Sequence, residues 1–240
     1  MSRLPYQSAV ATGRGDDGTT GLLFASDRVY KDDPRTEAFG AVDEAVAALG
    51  LARAELGALD PAGALDPADA LDPAGALDPA GARTAAFAGL AALILRIQRE
   101  LFVVGAELAT APGAKDRQRD GETRVSQAMV SNMDAMLREM EAVIELPREF
   151  VVPGETRTSA ALELARTVLR RAERRSVTLA LHDEALAAGR LLPYLNRLAD
   201  LIWILARVAE QGEAREATVA RPVRGAATGS RPTTPERSKP

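Results

Sequence analysis

Four side chains in the run ARTVLRRAER carry the first chemical signal. Arg166, Arg170, Glu173 and Arg174 recur at i, i+4, i+7 and i+8. On a helix that spacing gathers them within roughly 100° of one another, on one side. Like charges one turn apart repel by a few tenths of a kcal/mol each. Solvent can screen such a row, with Glu173 as internal counter-ion, or an anion can offset it. Guanidinium forks suit phosphates and carboxylates in bidentate geometry. A second signal lies near the N-terminus, where TGRGDDGTTGL packs four glycines, three threonines and two aspartates into eleven residues. Glycine lets backbone N–H groups approach a ligand closely, threonine adds hydroxyl donors and aspartate can face a cation or a ribose. The chemistry fits a triphosphate with Mg²⁺, and it also fits a surface turn.

Further polar residues surround these signals. In YLNRLAD, Asn196 and Asp200 stand one turn apart, and Asn can meet a base edge or a ribose. In AVDEA, Asp43 adjoins an apolar face running through Phe39, Val42, Val46 and Leu49, which would leave it near-buried. A carboxylate so placed pairs with a cation, and Arg166 or Arg170 is the candidate, within the chain or across an interface. The chain has no cysteine, which excludes disulfides, thiolate metal sites and cysteine nucleophiles. Its one histidine, His182, reads as a surface or helix-end residue. It has no partner for the Glu-x-x-His pairs of carboxylate metalloenzymes. No GxxxxGK[ST] loop occurs, so a P-loop kinase is excluded. No protein-only metal site is expected.

The elements that must position these groups are helical. The 240 residues are 46% hydrophobic but only 4% aromatic, an Ala- and Leu-rich balance that favours helices. A net charge of −4 gives no global field for nucleic acid. No stretch reaches the ~18 apolar residues of a membrane span, and MSRLPYQSAVA lacks the pattern of a secretion signal. A soluble cytoplasmic protein is expected. Residues 1–34 read as a loop with a short strand or extended turn. A helix is expected from Thr36, as N-cap, with Pro34 closing off the upstream chain. Residues 59–82 repeat LDPAGA, LDPADA, LDPAGA and LDPAGA, whose prolines break helices; the segment reads as a flexible insertion. Three helical blocks and a fourth, long one come next, with Val125, Met129, Met133, Met136 and Met140 forming a core stripe rather than a cofactor box. From residue 213 the chain reads as a disordered tail without a folded role. The expected fold is all-α: an antiparallel five-helix bundle of four-helix-bundle-like, ferritin-like topology spanning 35–212, behind an N-terminal nucleotide-binding loop.

TGRGDDGTTGL, VYKDDPR, EAFGAVDE, FVVPG, ARTVLRRAERRSV and YLNRLADLIWILAR, in this order, resemble the ATP:cob(I)alamin (corrinoid) adenosyltransferases of the propanediol-utilisation type. The likeness spans residues 12–210 apart from the hexamer insertion. It implies transfer of the 5′-deoxyadenosyl group from MgATP to the cobalt of reduced cob(I)alamin, with triphosphate released and adenosylcobalamin formed. Reduced cobalt is itself the nucleophile, so no catalytic Ser, Cys or His is required.

The resemblance also implies roles. Thr12, Gly13, Arg14, Gly15, Asp16, Gly18, Thr19 and Thr20 would wrap the triphosphate, with Lys31 adding charge. Arg170 and Arg174 would engage ATP beside Glu173, and Asn196 would contact the nucleotide. Arg166 would form a salt bridge with Asp43 of a neighbouring subunit in a homotrimer whose sites lie between subunits. Phe150 would be an aromatic wedge that displaces the corrinoid's lower axial base. Two positions depart from the family pattern. Gly13 stands where a basic residue is usual, so the basic contact shifts to Arg14, and Glu155 replaces a glycine after FVVPG. A reductase and an adenosylcobalamin-dependent mutase are the implied partners, with no nucleic acid and no membrane. The alternative is a non-catalytic bundle that binds nucleotide or corrinoid as a scaffold.

Overall fold

The computed structural model describes residues 10–59 and 79–221. Five long helices build it: α1 (Pro34–Leu59), α2 (Pro79–Ala109), α3 (Gln127–Val143), α4 (Arg157–Ala180) and α6 (Leu191–Gly212). A 3-10 helix (Pro112–Arg117) comes after α2, and the one-turn α5 (Glu184–Ala187) precedes α6. The helix ends carry local signals. Ser126 caps α3 through the Met129 N–H, and Thr156 and Ser159 form a reciprocal capping box on α4. The first helix begins two residues before the expected Thr36. Pro34 takes the first position, where its missing N–H costs nothing, and Asp33 accepts the Arg35 N–H at 2.8 Å.

Ion pairs and hydrogen bonds at the helix ends fix the directions. Arg35, at the start of α1, reaches the Leu108 carbonyl at the end of α2 and Asp183 just beyond α4. Arg157, at the start of α4, meets Glu55 near the end of α1. Hence α1 runs opposite to both α2 and α4. Glu163 of α4 meets Arg207 of α6, which makes that pair antiparallel too. By contrast Arg190–Gln127, Arg197–Asp134 and Gln211–Glu145 contacts step along α6 and α3 in the same sense. Each long helix therefore reverses the one before it, while α3 and α6 lie side by side and parallel. The core between them is aliphatic: Leu49, Leu56, Ile94, Ile97, Leu101, Leu108, Leu162, Leu169, Leu195, Leu198 and Leu205 are essentially solvent-free. Val125, Met129 and Met133 are buried, and Met136 and Met140 pack against the same core, as the stripe predicts.

The two ends of the described chain stand apart from the long helices. The N-terminal stretch is a hairpin, β1 (Thr19–Gly21) against β2 (Arg28–Tyr30), docked on the bundle where Leu23 bridges the end of α2. The C-terminal tail does not begin as disorder at 213. Ala214 takes a left-handed φ of 55°, and the Arg215 N–H returns to the Glu210 carbonyl, closing α6 with the six-to-one bond of a Schellman motif. The chain then pairs Val219 with Val151 in an antiparallel bridge. The helices also extend into the ends of the repeat, α1 to Leu59 and α2 from Pro79. The remainder of the repeat, residues 60–78, and the tail beyond 221 lie outside the described residues, as do residues 1–9.

Candidate active site

The glycine-rich loop is a formed structure. Gly13 and Gly18 adopt φ of 69° and 78°, which side chains with a Cβ disfavour. Lys31 donates its backbone N–H to the Gly18 carbonyl at 2.9 Å, and its ammonium lies over Gly15. A Cβ on Gly15 would stand 2.9 Å from Lys31 Nζ, so the glycine is what lets the cation sit there. Thr19 donates its hydroxyl and N–H to Asp17, and these bonds hold that carboxylate below its ordinary range. Arg28 donates to the Thr19 hydroxyl and to the carbonyls of Arg14 and Thr19. Sequence reasoning passed over Arg28, because a lone arginine in SDRVY has no periodic partner. The side chains of Thr12, Arg14 and Asp16 are exposed, and Thr20 is half-buried opposite Val29.

The arginine helix sorts its cations. Arg171 and Arg175 point to α1 and pair with Glu44 and, at 3.7 Å, Glu37. Among the described residues Arg170 has only Glu173 as an ion-pair partner, at 3.7 Å, and 44% of its side chain is exposed. Asn196 of α6 donates to Glu173 at 3.3 Å. Arg174 is exposed and makes no ion pair among the described residues. Arg170, Glu173 and Asn196 thus converge across α4 and α6. Among the described residues, no hydrogen bond or ion pair joins them to the hairpin loop within the chain.

Within the chain Arg166 pairs on its own helix. It donates to Glu163 at 2.7 Å, and Glu163 also faces Arg207 at 3.3 Å. Arg207 in turn faces Glu210 at 2.8 Å and lies 5.5 Å from the Trp203 ring centroid. Glu163, Arg207 and Glu210 are buried, so charge runs through the core in alternating sign. Asp43 is exposed, not near-buried, and has no ion-pair partner among the described residues. The buried face of α1 runs along Ala38, Ala41, Val42, Ala45, Leu49 and Leu56, which leaves Asp43 well round the helix.

Two clefts connect these groups. One, of about 320 Å³, is lined by Arg166, Arg170, Asp200 and Trp203 among others; the second, of about 470 Å³, by Phe150, Val151, Glu163, Arg166 and Trp203. They share Arg166 and Trp203 as walls. Phe150 is 88% exposed, so its ring is not core packing, the other reading its sequence context allowed. Trp203, the chain's single tryptophan, was not singled out from the sequence, where DLIWILAR reads as plain core. Glu155 lies in the same Phe150-to-α4 connection, half-buried.

At the opposite end, Asp183 binds Arg35 at 2.5 Å and Lys115. Burial raises its pKa, but these cations more than offset that and hold it at about 2. Glu107 accepts the Val125 N–H at 2.6 Å, yet burial dominates and pushes its pKa up. His182, exposed after α4, takes no part. Among the described residues no three histidine or carboxylate side chains converge as a metal site, and no helix is long and apolar enough to cross a membrane.

Fold and side chains define a helical bundle that presents a cationic helix face beside an exposed aromatic ring, with a glycine hairpin at one end. The sequence matches the cobalamin adenosyltransferase family over residues 10–209. It is 34% identical over 218 residues to the corrinoid adenosyltransferase PduO of Salmonella typhimurium, covering 90% of this chain and 53% of PduO. The chain thus spans about half the length of that relative. It is 34% identical over 207 residues to the corrinoid adenosyltransferase of Mycobacterium bovis, covering 85% of this chain and 90% of the relative. Among solved structures, a variant PduO-type ATP:corrinoid adenosyltransferase from Lactobacillus reuteri, complexed with cobalamin and ATP, matches with a TM-score of 0.66. It is 26% identical and covers 88% of this chain and 96% of its own. The chain belongs to the cobalamin adenosyltransferase family.

Proposed function

We propose that this chain transfers the 5′-deoxyadenosyl group of MgATP to the cobalt of a reduced corrinoid. The cobalt electron pair forms the bond to C5′, the C5′–O bond breaks, and its electrons leave with triphosphate. One observation carries the reading: exposed Phe150 and Arg170, the latter beside Glu173, line two clefts that share Arg166 and Trp203 as walls, in a chain of this family. An apolar ring on one side suits a corrinoid face, and exposed guanidinium on the other suits phosphates.

The protein's work is positioning and charge stabilisation. Arg170 and Arg174 meet phosphate oxygens on which charge grows as the bond breaks. Asn196, oriented by Glu173, contacts the nucleoside. Thr12 to Thr20 wrap the phosphates with backbone N–H groups and hydroxyls, and Lys31 adds a point charge. Mg²⁺ enters with the phosphates as part of the substrate. Phe150 occupies the corrinoid's lower face and displaces its axial base. Because the described hairpin makes no bond to Arg170 or Arg174 in its own chain, we place the complete site between subunits of a homotrimer. There Asp43 of one subunit, exposed and without an ion-pair partner among the described residues, meets Arg166 of the next. A reductase supplies reduced corrinoid, and an adenosylcobalamin-dependent mutase in the cytoplasm takes the product.

The test is a spectroscopic assay. Chemically reduced cobalamin and MgATP are mixed with the protein, and the light-sensitive adenosylated product is monitored. Its failure to appear, with triphosphate also absent, would reject the activity and leave the scaffold alternative.

A further inference from the structure

Beside the long helices, the segment that carries Phe150 has little to hold it. Between Leu146 and Glu155 the described residues make just two hydrogen bonds, and both go to the C-terminal segment. Val152 donates its N–H to the Thr218 carbonyl at 2.8 Å, and Ala220 donates its N–H to the Phe150 carbonyl at 2.7 Å. Val219 and Val151 are the bridged residues between them. The second bond ends on the backbone of the aromatic residue itself.

The partner strand is aimed by the fold. The left-handed Ala214 and the Arg215-to-Glu210 bond end α6 and reverse the chain. Gln211 also donates to the Glu145 carbonyl at 2.9 Å, which fixes the base of the Phe150 segment to the last turn of α6. The connection is therefore held at three successive places, Glu145, Phe150 and Val152, by the end of α6 and by Thr218–Ala220. On the far side, Gly154 adopts a φ of 128°, so the segment needs outside contacts to keep one course. An 88% exposed phenyl ring has no packing of its own to aim it.

We propose that Thr218–Ala220 form a positioning segment for Phe150, setting the depth and angle at which the ring meets the corrinoid. The inference rests on the reading of Phe150 as the residue that contacts the corrinoid. The segment acts only through Phe150 and touches neither substrate. Turnover should therefore depend on the Ala220 N–H, whereas ATP binding should not.

The experiment compares Ala220→Pro, which lacks the N–H, with Ala220→Ser, which keeps it, both in the full chain. Alongside them stand Phe150→Ala and the double variant Phe150→Ala/Ala220→Pro. Readouts are kcat, the KM values for ATP and for reduced cobalamin, and the absorbance signature of bound cob(II)alamin without its lower axial base. Ala220→Pro should lower kcat by roughly fivefold, the worth of one backbone hydrogen bond. It should also reduce the base-off fraction and leave the KM for ATP unchanged. Ala220→Ser should match the wild type, and the proline should have no further effect once Phe150 is gone. Wild-type kcat and base-off fraction in Ala220→Pro would overturn the proposal, as would an equal proline effect with and without Phe150. A rise in the KM for ATP in step with the loss of kcat would show a general structural role and overturn it too. If Phe150→Ala leaves turnover and base-off fraction intact, the underlying reading of Phe150 falls first, and the inference falls with it.

Discussion

Arg170→Ala separates charge from fold most cleanly. The side chain is 44% exposed, and its single carboxylate neighbour among the described residues, Glu173, stands at 3.7 Å. An exposed ion pair of that kind contributes about 0–1 kcal/mol, so the bundle should keep its thermal midpoint within a few degrees. Activity should respond very differently. Removing one preorganised group that meets developing charge costs about 2.7–4 kcal/mol, or roughly 10²–10³ in kcat. The loss should exceed the loss in ATP affinity, because charge on the leaving triphosphate is greater at the transition state than in bound ATP. Steady-state adenosylation with reduced cobalamin gives kcat and KM. Isothermal calorimetry with MgATP gives the ground-state affinity, and circular dichroism gives the midpoint. Wild-type kcat in a folded variant would refute the assignment. So would a loss accompanied by an equal fall in stability, since the residue would then be serving the bundle.

Three other perturbations address other parts of the molecule. Gly15→Ala should push the Lys31 ammonium aside, since a Cβ would come within 2.9 Å of it. Raised KM for ATP with little change in thermal midpoint is expected, and unchanged ATP kinetics would count against Lys31. Asp183, held at about 2 by Arg35 and Lys115, has a folded pKa below its unfolded value of about 3.9. Its contribution is complete above the unfolded value and is lost as pH falls through about 2, so acid unfolding in that window should flatten in Asp183→Asn. Arg207→Ala leaves Glu210 buried without its cation and Glu163 with Arg166 alone. It should destabilise by about 3–5 kcal/mol in denaturant titration, and a loss below about 1 kcal/mol would show that water already reaches the network.

Sequence periodicity revealed the helices because their apolar faces are long and regular. It misjudged Asp43 for a geometric reason. Phe39 and Val46 are larger than the alanines around them and draw the apparent apolar face toward themselves, but they sit on the flank, and the buried centre is lined by Ala38, Ala41, Ala45 and Ala52. Weighting by size rotated the inferred face by about 60° and carried Asp43 toward the core. The arginine stripe was legible because α4 is regular from Arg157 to Ala180, so angular position can be computed from residue number. Spacing could not show that Glu163 and Arg207 would meet, because they lie 44 residues apart on different helices. The C-terminal pairing was hidden for another reason. A single bridge at Val219 needs only three residues, too few for any period to register within a polar, proline-rich stretch.

The bare Phe150 ring has a calorimetric consequence. A phenyl group left in water keeps an ordered hydration layer, and any ligand laid across it releases that layer to bulk. Corrinoid association should therefore carry a negative heat-capacity change. Its enthalpy should become more favourable as the solution is warmed, and replacing the ring with alanine should diminish that slope in proportion to the apolar area withdrawn from solvent.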